Sequence, residues 1–431
     1  MKKKISYVAL SADILHKGHM NIIKTANKYG KVLVGLLTDK AISSYKNLPY
    51  LNYNQREMIV KNLRYVYKVV PQNELDHTKN LIKYKPNFVV HGDDWKKGVL
   101  KKTRSKVIKT ISKWNGKLIE PKYTQNISDN QFKKKIHDIG TTPDIRRERL
   151  KRLIESKDIV RVLETHSPLT GLIVEKLRAF DKNNFLEYDA MWSSSLTDST
   201  LRGKPDNQSV DYSTRINGVS EILDVTTKPL IFDADNGGRL EHIKYLVRTL
   251  DRLGVSAIVI EDKVGLKKNS LFGNQKNAQQ DNIRNFSNKI NKASNSKISK
   301  DLMVVARIES LILEKGMKDA LKRAEAYSEA GADMILIHSK MKTPNEILEF
   351  SKKFKESRNF KPLVAVPSTY SSIKEKTLIK NNFKVVIYAN HLMRASYPAM
   401  INTAKNILKN KRSKESEKEI ISINEILNLI K

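Results

Sequence analysis

Three short apolar runs in this chain end abruptly in charged residues. Gly254–Ile260 runs into Glu261-Asp262-Lys263, Pro229–Phe232 into Asp233-Ala234-Asp235, and Met303–Ala306 into Arg307-Ile308-Glu309. Runs of this length and composition read as strands buried on both faces. Charges at the ends of such strands are badly placed for a core. They are well placed at the C-terminal mouth of a parallel barrel, where the loops after the strands converge. Carboxylates in that position suit a hard divalent cation, and an arginine suits a phosphate or a carboxylate. One charged strand end has a bland explanation; three of them argue for a site.

The surrounding sequence supports a barrel. Short apolar strands are expected at 159–163, 189–193, 229–232, 255–260, 302–306, 333–338, 362–366 and 384–388, alternating with helical segments. Eight such repeats describe an α/β fold of the (β/α)8 TIM type. Thr141-Thr142-Pro143-Asp144 is a break followed by a helix N-cap signal. It divides the chain into domains 1–142 and 143–431. The last twenty or so residues are rich in Lys and Glu and end in an amphipathic segment, expected as a terminal helix.

A chain of 431 residues is long enough for more than one core. Without cysteine it has no disulfide, thiolate ligand or Cys nucleophile. The start imitates a signal peptide, but its apolar run is short and soon meets Asp13, so it reads as a first strand. No stretch approaches the roughly 20 apolar residues of a membrane span, and a soluble, cytoplasmic protein is expected. The net charge of +34 raises a nucleic-acid reading. The lysines are spread along the whole chain and no RNA-binding aromatic motif accompanies them. They read as a solvated surface that also attracts anionic substrates, with no nucleic-acid partner.

The first domain opens with a strand at 5–10, a loop at 11–15, a helix beginning at His16-Lys17-Gly18-His19, and a second strand at 32–37. This is a βαβ unit, which implies a parallel, Rossmann-like sheet. His16 and His19 stand at a helix N-terminus, where free amides and the helix dipole favour anionic oxygens. A later strand, Phe88-Val89-Val90, ends in His91-Gly92-Asp93-Asp94-Trp95.

The His-x-Gly-His and Gly-Asp-Asp-Trp motifs resemble the cytidylyltransferases related to glycerol-3-phosphate cytidylyltransferase, over about residues 5–136. The resemblance implies CTP as co-substrate. His16, His19 and Lys46 would stabilise its phosphates, with Asp13 beside them. His91, Asp93, Asp94 and Trp95 would contribute to the nucleotide and acceptor pocket. The family's closing Ser/Thr-rich, Arg-containing signature is replaced here by 123–130, where Ser128 remains and Asp129 brings a negative charge. Lys133 or Lys134 is expected to compensate.

In the second domain, Glu261-Asp262-Lys263 followed by Asn269-Ser270 is similar to the signature of the phosphoenolpyruvate mutases of the isocitrate lyase superfamily. Asp189-Ala190-Met191-Trp192, Gly203-Lys204-Pro205-Asp206, Asp233-Ala234-Asp235, Ala306-Arg307-Ile308-Glu309, His338-Ser339-Lys340 and the segment Tyr388–Arg394 extend the likeness across about 146–405. It implies that Mg2+ is held by Asp233 directly and by Asp235 and Glu261 partly through water. Trp192, Ser194 and Leu196 would line an enolate pocket, with backbone amides near Ser194 and Ser195 facing its carboxylate. Asn269, Arg307 and His338 would face the phosphoryl group. Asp206 would orient or gate the site, and Lys267, Asn269 and Ser270 lie on a loop suited to closing over substrate. Ser195 stands where the family usually has Gly.

The resemblances together imply a bifunctional enzyme of phosphonate biosynthesis, a homo-oligomer through its barrel, acting on phosphoenolpyruvate, phosphonopyruvate, CTP and a phosphonate. The enzymatic rival is phosphonopyruvate hydrolysis or a C–C lyase on the same barrel with an inactive first domain. The Cys base used by the superfamily's isocitrate and methylisocitrate lyases is missing.

Overall fold

Strand–helix alternation produces two parallel sheets, an open one and a closed one. The computed structural model describes residues 4–96, 100–122, 141–181, 184–271, 275 and 278–429. By contact the chain divides into two compact units, 1–160 with 176–187, and 161–175 with 188–431.

In the first unit, β1 (Ile5–Leu10), β2 (Lys31–Leu37), β3 (Val66–Gln72), β4 (Phe88–Val90) and β5 (Lys117–Ile119) form one parallel sheet in the order β3-β2-β1-β4-β5. The order reverses between β1 and β4, the place where such sheets open a crevice at their carboxyl ends. Alternation along β1 sends Val8 and Leu10 to one core face with Ile23 and Ala26 of α1 (Lys17–Tyr29). Tyr7 goes to the other face, with Leu81 of α4, Trp95, and Val107 of α5. The intervening helices are α2 (Asp39–Ser43), α3 (Tyr53–Lys61), α4 (Thr78–Tyr84) and α5 (Lys101–Ile111). Arg56 of α3 is fully buried and ties the loops together. It donates to the carbonyls of Ser11, Leu37 and Leu51 and pairs with Asp39 at 2.6 Å. The helix α6 (Pro143–Ser156), just past the expected boundary, groups with this unit, and its Arg152 reaches Asp39 at 3.1 Å.

The barrel closes through eight parallel strands: β6 (Val160–Glu164), β9 (Ala190–Ser193), β10 (Leu230–Asp233), β11 (Ala257–Glu261), β14 (Met303–Ile308), β15 (Met334–Ile337), β16 (Leu363–Ala365) and β17 (Phe383–Tyr388). Each lies within two residues of its expected position. Two antiparallel pairs complete the numbering: β7 (Ala179–Asp181) with β8 (Asn184–Leu186), and β12 (Lys263–Val264) with β13 (Gln279–Gln280). Behind the mouth, Asp262 accepts hydrogen bonds from the Glu309 amide, Arg323, Tyr327 and Gln280, fixing the end of β11 against β14. After β17 comes a 20-residue helix, His391–Asn410, in which Met393 alone is buried, and the chain ends in the exposed helix Ile423–Leu429. Among the described residues no helix is long and apolar enough to cross a membrane.

Candidate active sites

The ends of the barrel strands surround a cavity of about 230 Å3. Trp192, Ser194, Ser195, Leu196, Asp206, Asp233, Lys267, Asn269, Ser270, Arg307 and His338 all line it. Asp235 and Glu261 are buried beside it without lining it. Register explains the convergence, because β11 and β14 pair Glu261 with Arg307 side by side.

Arg307 is the hub of one half. Its Nε donates to Glu309 at 2.6 Å, and its Nη2 donates to Ser270 Oγ at 2.8 Å and lies 3.0 Å from His338 Nδ1. Ser270 Oγ accepts from Lys263 at 2.7 Å and donates to Glu309 at 2.5 Å. Burial, reinforced by Arg307, lowers the His338 pKa, so the imidazole is neutral near pH 7. Glu309 is held well below the usual carboxylate range because Arg307 and His338 outweigh its burial.

Lys267 is the hub of the other half. Its ammonium touches Asp235 Oδ1 and Ser195 Oγ and lies 3.0 Å from Asp206 and 3.9 Å from Asp233. Burial opposes its charge, but Asp233, Asp235 and Asp206 together raise its pKa. Burial also pushes Asp233 up, and Lys267 with Arg215 outweighs it and holds the carboxyl low. Asn269 donates to Asp206 at 2.8 Å, so the loop that carries both residues is docked inside the mouth.

The structure alters two expectations. Asp233, Asp235 and Glu261 are not gathered around one point: among the described residues no group of three His, Asp or Glu side chains is placed to hold a metal ion. The physical reason is Lys267, whose ammonium compensates the aspartates. The donor set still fits a hard cation. It consists only of carboxylate oxygens, and both Glu261 oxygens are buried with no hydrogen bond. Burial drives the Glu261 pKa up to about 7 against the pull of Arg307 and Lys263. The second alteration concerns Ser195, whose amide was expected to face a substrate carboxylate. Its amide and its hydroxyl lie 3.3 Å and 2.9 Å from Asp233 Oδ2 and both donate to it, the hydroxyl being a donor that glycine would lack.

The N-terminal unit holds a second cavity, of about 500 Å3, at the carboxyl end of its sheet. His16, Gly18, His19, Lys46, His91, Asp94 and Trp95 line it, whereas Asp13 and Asp93 do not. His16 caps α1: its Nδ1 accepts from the Gly18 amide at 3.1 Å, while His19 Nδ1 accepts from the His16 amide at 3.4 Å. A ring whose Nδ1 accepts carries its proton on Nε2, so both imidazoles present N–H donors suited to phosphate oxygens. Lys46 lies 3.3 Å from Ser11 Oγ. Asp13 is buried and accepts from the amides of Tyr50 and Leu51, so it shapes the loop behind the cavity. His91 stacks on Trp95 with ring centroids 3.9 Å apart, and Trp95 is anchored through Nε1 to Glu120, which Arg104 also holds. Ser128, with Asp129, Lys133 and Lys134, lies outside the described residues.

Sequence reasoning missed Glu120, Leu75 and His77 around this cavity, and the Glu164–His166 pair at the end of β6. Glu164 contacts His166 Nδ1 at 2.5 Å and accepts the amides of Leu392 and Met393. None of these residues belongs to a local motif; only the tertiary fold assembles them.

Comparison with known proteins finds a family for each part of the chain. Residues 11–162 match the cytidylyltransferase-like family model and residues 150–408 the phosphoenolpyruvate phosphomutase model. A phosphoenolpyruvate phosphomutase of Tetrahymena pyriformis is 34% identical over 283 residues, covering 65% of this chain and 89% of that protein. A phosphonopyruvate hydrolase of Variovorax sp. is 32% identical over 284 residues, covering 65% of this chain and 93% of that one. A crystal structure of phosphonopyruvate hydrolase in complex with oxalate and Mg2+ superposes with a TM-score of 0.59 at 30% identity, covering 67% of this chain and 95% of that one. With the mutase model spanning more than half of its length, the chain belongs to the phosphoenolpyruvate phosphomutase family and carries a cytidylyltransferase-like region ahead of the barrel.

Proposed function

We propose that the barrel interconverts phosphoenolpyruvate and phosphonopyruvate, and that the N-terminal unit transfers CMP from CTP to a phosphonate or phosphate acceptor. The observation that carries the first half is the docked loop. Lys267, Asn269 and Ser270 are tied to Asp206, Glu309 and Arg307 inside the mouth. A phosphoryl group moving between the enol oxygen and C3 of pyruvate passes through a loose, metaphosphate-like state that water would intercept. A loop held on both sides of the cavity keeps water away, and Arg307 with neutral His338 offers donors to the migrating oxygens. Mg2+, when bound, would be held by Asp233 with Asp235 and Glu261, and would supply positive charge to the enolate oxygens. Trp192 and Leu196 would keep the planar enolate in place so that only the phosphoryl group travels.

In the N-terminal unit, His16, His19 and Lys46 would neutralise charge that builds on the phosphates as pyrophosphate leaves. Phosphoenolpyruvate and CTP are cytoplasmic metabolites, and the reading is of a cytoplasmic, multifunctional enzyme acting on small molecules. A homo-oligomer through the barrel is supported by the helix His391–Asn410, which leaves Tyr397, Met400, Ile407 and Leu408 exposed. The similarity to a hydrolase supports a second reading in which the barrel delivers the phosphoryl group to water.

Phosphorus NMR of the full-length protein with phosphonopyruvate and Mg2+ separates the two. Phosphoenolpyruvate as the main product supports the mutase, and inorganic phosphate with pyruvate replaces it by the hydrolase. The same experiment with CTP and candidate phosphonates tests the transferase. Failure to form any CMP–phosphonate anhydride would overturn that half alone.

A further inference from the structure

His77 is buried, 4% exposed, at the start of α4, with its ring 6.2 Å from the rings of both Tyr7 and Trp95. It makes no cap to its helix, and its Nδ1 is buried with no hydrogen-bond partner. A buried polar nitrogen left unpaired destabilises a fold, and a phenylalanine between the same two aromatic rings would avoid that cost. A histidine kept there against stability points to a ligand.

The cavity supplies the setting, because His77 lines the same space as His16, His19 and Lys46. Tyr45 and Lys46 follow α2, while Leu75 and His77 follow β3, and Tyr45 and Leu75 pack against one small cluster of Leu37, Ala41 and Ile42. One wall therefore offers a cation for a phosphonate, apolar surface for a short carbon chain, and an imidazole beyond it. Burial, then the neighbouring His91, lowers the His77 pKa to about 3, so this imidazole is neutral and cannot neutralise an anion. The adjacent carboxylate, Asp76, is already engaged by Lys106 and Thr78, and the cavity's carboxylate, Asp94, lies beside His91 at 3.8 Å.

Resting on the transferase reading above, we propose that His77 sets acceptor specificity in the N-terminal site. Its imidazole receives a hydrogen bond from the uncharged hydroxyl end of a short-chain phosphonate whose oxyanion faces Lys46. In the reaction a phosphonate oxygen bonds to the α-phosphorus of CTP, the bond from that phosphorus to the bridging oxygen breaks, and pyrophosphate carries the electron pair away.

The test uses full-length wild type, His77→Phe and His77→Asn, with CTP and 2-hydroxyethyl-, ethyl- or 2-aminoethylphosphonate, following pyrophosphate release. Wild type is expected to favour the hydroxyl acceptor over ethylphosphonate by tenfold or more in kcat/KM. His77→Phe should erase that preference by raising the acceptor KM, leave the CTP KM unchanged, and melt no lower than wild type. His77→Asn, which keeps a polar side chain, should retain part of the preference and gives the same answer if the Phe variant fails to fold. An active wild type that favours the ethyl or amino acceptor, or a variant that keeps the preference or loses CTP affinity instead, overturns the role of His77 alone. A wild type silent with all three acceptors overturns the transferase reading itself.

Discussion

Asp206 is one of the residues that hold the barrel loop inside the mouth, and Asp206→Asn tests whether that docking keeps water out. Its side chain is 7% exposed and faces two loop residues, Lys267 at 3.0 Å through Oδ1 and Asn269 at 2.8 Å through Oδ2. The substitution keeps shape and removes charge. It converts a charge-assisted contact to Lys267, worth about 1.5–3 kcal/mol, into a neutral one. It also sets an amide where Asn269 donates, at a further cost of about 0.5–1 kcal/mol. Lys267 keeps Asp233 and Asp235, so the ammonium remains compensated and the unit should stay folded. The difference between the two contacts, about 1–1.5 kcal/mol, plus the amide's cost gives a net loss of about 1.5–2.5 kcal/mol, which lowers the docking equilibrium constant roughly 10- to 60-fold, since 1.4 kcal/mol is a factor of ten. Turnover of phosphonopyruvate should fall by at least tenfold, and a larger share of what reacts should appear as inorganic phosphate. Phosphorus NMR reads both numbers at once. A folded Asp206→Asn protein with unchanged turnover and an unchanged product ratio would refute the idea that the docked loop excludes water.

Four further outcomes are expected. His77 is neutral in the fold with a pKa near 3, whereas the unfolded chain's histidine takes a proton near 6.5. Stability it leaves intact above 6.5 is therefore lost as pH falls toward 3, about 2 kcal/mol by pH 5. Hydrogen exchange in β1 at pH 7.5 and 5 should show this drop in wild type and not in His77→Phe. Arg56→Met strands three carbonyls in the N-terminal unit and leaves Asp39 with Arg152 as its remaining cation, and should cost about 3–5 kcal/mol, read as a lower melting transition. Ser195→Gly frees Asp233 Oδ2 from a hydroxyl and should tighten Mn2+ binding several-fold by calorimetry; unchanged affinity would leave the hydroxyl without influence on the metal site. Oxalate, a planar dianion like the enolate, should bind the full-length protein tightly with Mg2+ present and at least tenfold more weakly without it.

What could be read in the sequence follows from how strongly each feature is constrained. Apolar strands that stop at Asp233, Glu261 and Arg307 were legible because burial forbids charge inside a strand and a barrel collects strand ends at one mouth. His16 and His19 were legible because a helix N-terminus announces itself within four residues. The inward course of Lys267 was not. A lysine on a polar loop reads as solvent-facing, and only the fold shows three aspartates waiting for it. Ser195 was recognisable as a departure, but the direction of its hydroxyl depends on Asp233, 38 positions away. His77 and Glu120 carry no local pattern; only the fold brings each of them to Trp95.

The barrel's charges explain why oxalate and the metal should bind together. Two sets of ion pairs meet at the mouth: Arg215 and Lys267 with Asp198, Asp206, Asp233 and Asp235, and Lys263 and Arg307 with Glu261 and Glu309. In the first set four carboxylates against two cations leave two negative charges uncompensated in a buried place, where like charges repel strongly. Glu261 stands in the balanced set, and burial raises its pKa to about 7, so it tends to take a proton for a separate reason. A dianion entering that cavity meets these aspartates in spite of Arg307 and Arg394, which both line it. A divalent cation beside Asp233 would cancel the deficit and leave a receptor for the anion. The charge of the aspartate set, more than any single contact, is therefore the reason to expect oxalate affinity to depend on the cation.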